Sequence, residues 1–226
     1  MPGQETTLSA NGASVAGHLA LPPGGSGPGV LVIQEWWGLV PHIASVADRI
    51  AQEGFTAFAP DLYHGERTSS PDRAAKLMMG LNIATAAADL AVAGAGLRAI
   101  PATQGWPKIG VMGFCMGGLL SLYAACENPE IGACVNFYGG LPNVRPNLET
   151  LAAPVLGVFA AKDSFVTLDA VRALKSDLGR LGARHEFHIY EDADHAFFNE
   201  TSAAHREADA RDAWEKTVAF LRRNLK

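Results

Sequence analysis

The sequence predicts an α/β fold, with a mostly parallel central sheet covered by helices on both faces. Three observations carry this expectation. Short continuous apolar runs, of the kind that strands buried on both faces require, recur along the chain. Between them lie longer stretches with helical periodicity, two of them stopped by Gly54 and Gly182. The two kinds alternate from about residue 30 to the C-terminus, as helical crossovers between parallel strands demand.

Residues 8–10 and 16–21 flank Asn11-Gly12, a dipeptide that suits a two-residue hairpin turn, so an antiparallel hairpin is expected first. Val30-Leu31-Val32-Ile33, bounded by Gly29 and Gln34-Glu35, is the first core strand. Pro41 fits a first helical turn, which sets a helix over 41–53. Thr56-Ala57-Phe58-Ala59 is the next strand. Residues 63–80 read equally as an insertion or as a surface loop plus helix. An alanine-rich helix is expected over 84–100, with Gly94 and Gly96 weakening its middle. Residues 109–113, 133–137 and 155–160 are further strands, and 117–127 and 168–181 further helices. Residues 185–190 alternate like a strand, and 203–225 form a long amphipathic helix with Trp214, Val218 and Leu221 on one side. No linker, repeat or low-complexity run interrupts this series, so residues 1–226 are expected to form one domain.

Composition narrows the function classes. With 48% hydrophobic and 18% charged residues the chain reads as an ordinary globular protein. A net charge of -5 lacks the basic footprint of a nucleic-acid binder. No run approaches 18 apolar residues, so no membrane-spanning helix is expected, and the polar start is unlike a signal peptide. Cys115, Cys126 and Cys134 show no Cys-x-x-Cys spacing, and their number is odd. That argues against a disulfide framework and a zinc site, and fits a reducing, cytoplasmic setting.

Sites in open α/β sheets lie at the carboxyl ends of strands. Cys115 stands there, between the strand 109–113 and the helix that follows, in Gly113-Phe114-Cys115-Met116-Gly117-Gly118. A Gly-x-nucleophile-x-Gly turn needs small flanking residues because the nucleophile's backbone is strained and its neighbours pack closely. The helix N-terminus favours a thiolate, and the backbone N–H of Met116 would face a developing oxyanion. The alternative, a buried apolar cysteine, suits Cys126 and Cys134 better, one mid-helix and one mid-strand. A thiol needs a base. His195, in Asp194-His195-Ala196-Phe197 after the last strand, is the best placed of seven histidines. His18, His185 and His188 fall within strands, His42 and His205 at helix starts, and His64 in a turn. Asp163, following the strand 155–160, is placed to orient His195. The order Cys115, Asp163, His195 is that of the α/β-hydrolase fold.

With these residues in place, the chain resembles the dienelactone hydrolase family over about residues 28–225. The likeness rests on Gln34-Glu35-Trp36-Trp37-Gly38, the glycine-flanked Cys115, residues 157–163 and Asp194-His195-Ala196-Phe197. It implies an α/β-hydrolase fold and a Cys-His-Asp triad of Cys115, His195 and Asp163. It implies that Glu35 holds the resting thiol until substrate releases it to form a thiolate–imidazolium pair. It also implies a second oxyanion donor in the backbone N–H of Trp36. Family members acting on dienelactone hold its carboxylate with arginines, one shortly after the catalytic histidine; Asn199 stands there in this chain, and Arg67 or Arg73 is the candidate for a second. An amide cannot make the charged fork that recognises a carboxylate.

The expectation is therefore a cofactor-free, metal-free hydrolase of small-molecule carboxylic esters or lactones, acting as a monomer or weak homodimer without nucleic-acid or membrane partners. Trp36, Trp37, Tyr138, Phe197, Phe198 and Asn199 are candidates to bound its substrate pocket, with core packing the better reading for Phe197. A non-catalytic small-molecule binder or thiol sensor on the same fold is the alternative. Ser121 lies inside a helix with no elbow around it and is set aside as a nucleophile.

Overall fold

The computed structural model describes residues 2–140 and 144–226. The hairpin forms from β1 (Gln4–Ala10) and β2 (Ala13–Ala20), with Asn11 and Gly12 at φ 54° and 79°, the left-handed pair that a tight hairpin turn needs. Six more strands follow: β3 (Gly29–Ile33), β4 (Thr56–Pro60), β5 (Ile109–Phe114), β6 (Ile131–Phe137), β7 (Val155–Ala160) and β8 (His185–Tyr190). They make one sheet in the order β1-β2-β4-β3-β5-β6-β7-β8, antiparallel from β1 to β4 and parallel from there on.

Among the described residues six α-helices cover it: α1 (Pro41–Gln52), α2 (Pro71–Gly80), α3 (Ile83–Ala99), α4 (Met116–Glu127), α5 (Leu168–Arg180) and α6 (Glu207–Asn224). The period of two along β3 divides the core. Val30 and Val32 pack with α1 and α6, while Leu31 and Ile33 pack with α3 and α4 on the opposite face. All five residues of β3 are buried, which is why its sequence reads as an unbroken apolar run. Among the described residues no single helix is long and apolar enough to cross a membrane.

Of three local points, two follow one of the expected readings and the third, the start of α6, departs from it. Residues 63–80 are a loop followed by α2, whose N-cap Ser70 accepts from Arg73 N. Helix α3 runs unbroken, with Gly94 and Gly96 on its buried side, where packing outweighs their poor propensity. Helix α6 begins at Glu207, not near 203. The preceding turn is held by side chains competing for the backbone: Asn199 Oδ1 accepts from Thr201 N, and Ser202 Oγ accepts from Ala204 N.

The site follows from the topology. The chain leaves β3 toward β4 on one side, then returns to lay β5 on the other, so the loops after β3 and β5 part in opposite directions. Ile33 pairs with Gly113, Gly113 with Asn136 and Phe137 with Val158, so the carboxyl ends of the central strands finish near one level. That switch point is where open sheets leave a crevice.

Candidate active site

Cys115 sits in that crevice, half-buried, at the head of α4. Its φ of 54° and ψ of -120° lie outside the regions open to an L-residue, a strain of about 1–3 kcal/mol that the surroundings must hold in place. Cys115 N donates to Phe137 O at 3.0 Å, and Cys115 O accepts from Gly118 N at 2.9 Å, so both sides of the turn are pinned. The flanking glycines are steric necessities. A Cβ on Gly113 would lie 2.1 Å from Gly117 O, and one on Gly117 would lie 2.4 Å from Gln34 O and 2.6 Å from Ile33 O. The same closeness brings the first turn of α4 against the end of β3. The backbone N–H groups of Met116 and Trp36 thus come from adjoining segments, and neither donates to a described residue.

Asp163 follows β7 and is 6% exposed. Its Oδ1 accepts from Phe165 N at 2.7 Å and Val166 N at 2.9 Å, and its Oδ2 lies 2.7 Å from His195 Nδ1. Burial opposes charge on His195, but its interactions with Asp163 and with Cys115 outweigh that and push its pKa up to about 10. The imidazole lies edge-on to Tyr138 and against Phe165, each with ring centroids 5.1 Å away. Asp194 next to it is a turn residue, its Oδ1 accepting from His195 N at 2.7 Å.

Glu35, a strand-end residue that could have faced solvent, is 2% exposed. Asn199 Nδ2 donates to its Oε2 at 2.7 Å. Burial raises its pKa, against the pull of His42, the Asn199 hydrogen bond and His195. Asn199 itself is 3% exposed and is committed to Glu35 and Thr201, although it also reaches the cleft wall.

The cleft has a volume of about 1340 Å³. Cys115, His195 and Glu35 form part of its wall, with Trp36, Trp37, Val40, Met78 and Phe165 supplying apolar surface. Two expectations are corrected here. Phe198 is 1% exposed and lies in the core against Phe114, Phe137 and Trp214, because the turn at Ala196 (φ 62°) directs it inward with Phe197. Tyr138 is fully buried behind His195 and not on the cleft wall; its hydroxyl has no hydrogen-bond partner among the described residues. Of the two arginines considered, Arg67 lines the cleft, while Arg73 pairs with Glu66 outside it.

The remaining candidates are structural. Cys126 and Cys134 are buried, and burial pushes their thiols up to about 11 and about 12. Ser121 Oγ is engaged with Gly118 O and Val135 O inside α4. His18 pairs with Asp48 at 2.8 Å and His64 with Asp89 at 3.3 Å, both away from the cleft wall. Among the described residues no three His, Cys, Asp or Glu side chains converge as metal ligands. Sequence reasoning passed over His42, Glu200 and Phe165. His42 had one usable signal, its place seven residues after Glu35, in the first turn of the helix that leaves the same strand end.

The chain is similar to known proteins over nearly its whole length. Residues 15–225 match the family described as "Dienelactone hydrolase family". "Protein usf" of Aquifex pyrophilus is 39% identical, over 99% of each chain. The "Putative carboxymethylenebutenolidase" of Aquifex aeolicus is 34% identical, covering 99% of this chain and 100% of its own. Among solved structures, the "Putative Dienelactone Hydrolase" of Klebsiella pneumoniae superposes with a TM-score of 0.87 at 30% identity, covering 97% of this chain and 98% of its own.

Proposed function

Starting from a chain that belongs to the dienelactone hydrolase family and is a hydrolase acting on ester or lactone bonds, we propose that it cleaves them through a Cys115 thiolate. The observation that carries this reading is the strained Cys115 backbone at the head of α4, beside a His195 already bonded to buried Asp163. A strain of that kind persists where it serves a site.

In the first half-reaction Cys115 Sγ attacks the carbonyl carbon, and the carbonyl electron pair moves to oxygen. The N–H groups of Met116 and Trp36 stabilise that oxyanion; one such donor is typically worth about 3 kcal/mol. The tetrahedral species collapses, the alkoxide leaves with the proton of the His195 imidazolium, and a thioester remains on Cys115. In the second half-reaction neutral His195 takes a proton from water as its oxygen attacks the thioester. The acid departs and the thiolate–imidazolium pair is restored. Asp163 holds His195 with Nδ1 as donor throughout. Glu35 governs the protonation of the resting thiol, as in the family that the chain resembles.

The cleft favours neutral substrates of some bulk. Its volume of about 1340 Å³ exceeds the usual range of roughly 300–1,000 Å³. Asn199, at the place of the expected arginine, is spent on Glu35 and offers no charged fork to a substrate carboxylate. Trp36, Trp37 and Phe165 give the wall an aromatic character suited to aryl or alkyl esters and lactones.

The test is Cys115→Ala on hydrolysis of p-nitrophenyl acetate, with alkylation of the wild-type thiol as the parallel arm. Both should abolish turnover, and retained activity in the variant would refute the thiolate mechanism. A panel of lactones and esters, with and without a carboxylate, ranked by kcat/KM, tests the substrate class: neutral members should lead.

A further inference from the structure

His195 carries two aromatic neighbours, and they differ in kind. Tyr138 lies edge-on to the imidazole at 5.1 Å between ring centroids and is fully buried. Phe165 lies at the same 5.1 Å, tilted by 55°, and is 77% exposed. Four large hydrophobic side chains are exposed among the described residues: Leu21, Met79, Phe165 and Ile189. Of these, Phe165 is the one that lines the cleft. It packs into none of the core clusters of the described residues, although its neighbour Val166 is buried with Phe159 and Val171. Exposure by itself says little, since single apolar side chains are common on surfaces. Where the ring is held says more.

The ring is held in register with the imidazole. Phe165 N donates to Asp163 Oδ1 at 2.7 Å, and Val166 N donates to the same oxygen at 2.9 Å. Asp163 Oδ2 lies 2.7 Å from His195 Nδ1. One carboxylate thus fixes the backbone of Phe165 on one side and the imidazole on the other. With Nδ1 turned to Asp163, Nε2 is the ring nitrogen left to exchange a proton with reacting atoms. The departing oxygen of an ester takes that proton as its bond to the carbonyl carbon breaks, so it must stand about 3 Å from Nε2. The carbons attached to that oxygen then lie beside the imidazole, within reach of a ring that leans on it. Tyr138 is closed off from the cleft, so of the two rings on His195 it is Phe165 that these carbons can meet. Trp36 and Trp37 come from the loop after β3 and pack on each other at 4.9 Å.

We propose that Phe165 is a specificity-determining residue for the departing alcohol, a platform on which aryl and bulky apolar leaving groups pack while His195 protonates them. The inference rests on the hydrolytic roles proposed above for Cys115 and His195. It divides the substrate: the alcohol portion meets Phe165, and the acyl portion extends elsewhere in the cleft. Phe165 therefore acts in forming the thioester and not in its hydrolysis, because the alcohol has left before water attacks. Packing against the ring raises kcat/KM for apolar alcohols without favouring any acyl chain.

The test measures how much activity Phe165→Ala and Phe165→Leu lose against wild type along two ester series. In one the acyl group stays acetyl and the alcohol grows, from trifluoroethyl through phenyl to naphthyl. In the other phenol stays the leaving group and the acyl chain grows, from acetyl through butyryl to phenylpropanoyl. Each loss compares variant with wild type on one substrate, so the intrinsic reactivity of the ester cancels. For Phe165→Ala the loss in kcat/KM should grow by about tenfold along the alcohol series and stay level along the acyl series, with Phe165→Leu between. The rate at which the acetyl adduct of Cys115 is hydrolysed, followed by rapid quench and mass spectrometry, should be unchanged. A loss that is absent, that tracks the acyl chain, or that is uniform across both series, as displacement of Asp163 would make it, overturns the proposal. Absence of any acetyl adduct on Cys115 alongside the expected alcohol dependence refutes the thiolate reading and leaves Phe165 at the leaving group.

Discussion

Replacing Asp163 by asparagine removes one charge and reverses one hydrogen bond while keeping the shape. Asp163 Oδ1 accepts two backbone N–H groups, from Phe165 and Val166, and Oδ2 faces His195 Nδ1 at 2.7 Å. In Asp163→Asn the amide oxygen stays with the two N–H donors, and the NH2 group then faces the imidazole. Nδ1 must become the acceptor, which moves the ring proton to Nε2 and leaves no base for the thiol. The displacement of His195 from 6.5 to about 10 sets the scale. At 1.36 kcal/mol per unit it amounts to roughly 5 kcal/mol favouring the imidazolium, shared between Asp163 and Cys115. Losing about half of that, together with the wrong tautomer, should lower kcat/KM by about 10³- to 10⁴-fold, as in Ser-His-Asp enzymes. The assay is p-nitrophenyl acetate hydrolysis near pH 7, alongside the rate of Cys115 alkylation by iodoacetamide. Stability gives an independent signature. His195 has a higher pKa folded than unfolded, so its pairing stabilises fully below pH 6.5 and is lost as pH rises through about 10. The stability deficit of Asp163→Asn should therefore be largest near pH 6 and fade toward pH 10. A folded variant within about tenfold of wild-type activity would refute the reasoning.

Three further perturbations separate catalysis from packing. Burial raises the Glu35 carboxyl above 4.5, so the folded state loses stability as pH rises from that value through the folded pKa. Glu35→Gln should thus be more stable than wild type at pH 7, with the gain vanishing below about pH 4, while activity falls; urea denaturation across pH reads it, and a variant no more stable at pH 7 would contradict the role given to burial. Phe198→Ala should cost about 3–5 kcal/mol of stability without changing the ranking of small and bulky esters, because its ring is 1% exposed in the core. Trp37→Ala, on the cleft wall, should do the reverse, raising KM for aryl esters with little change in melting temperature. The opposite pattern in these two variants would mean that the cleft lining is misassigned.

The regular elements were legible because their causes are local. β3 is apolar at every position because both faces are covered, and α1 is bounded by Pro41 and by Gly54 just past its end. The start of α6 was not legible, since side chains at 199 and 202 bind the backbone in a turn that helical periodicity does not register. Cys115, Asp163 and His195 were findable one at a time, each at the carboxyl end of a parallel strand, and the structure brings Asp163 within 2.7 Å of His195.

By itself the sequence determined the α/β architecture, the glycine-flanked turn at Cys115 and the order in which the candidate residues occur. These depend on side-chain period, on steric exclusion at Gly113 and Gly117, and on which strand ends they follow. Only the tertiary structure decided the partner of Glu35. Asn199 stands 164 residues from it in sequence. Only the fold decided, too, that Trp37 faces the cleft while Phe198 and Tyr138 face the core. Burial and charge pairing depend on which distant segments share a volume, and a one-residue change of direction at a turn such as Ala196 reverses which side chain meets solvent.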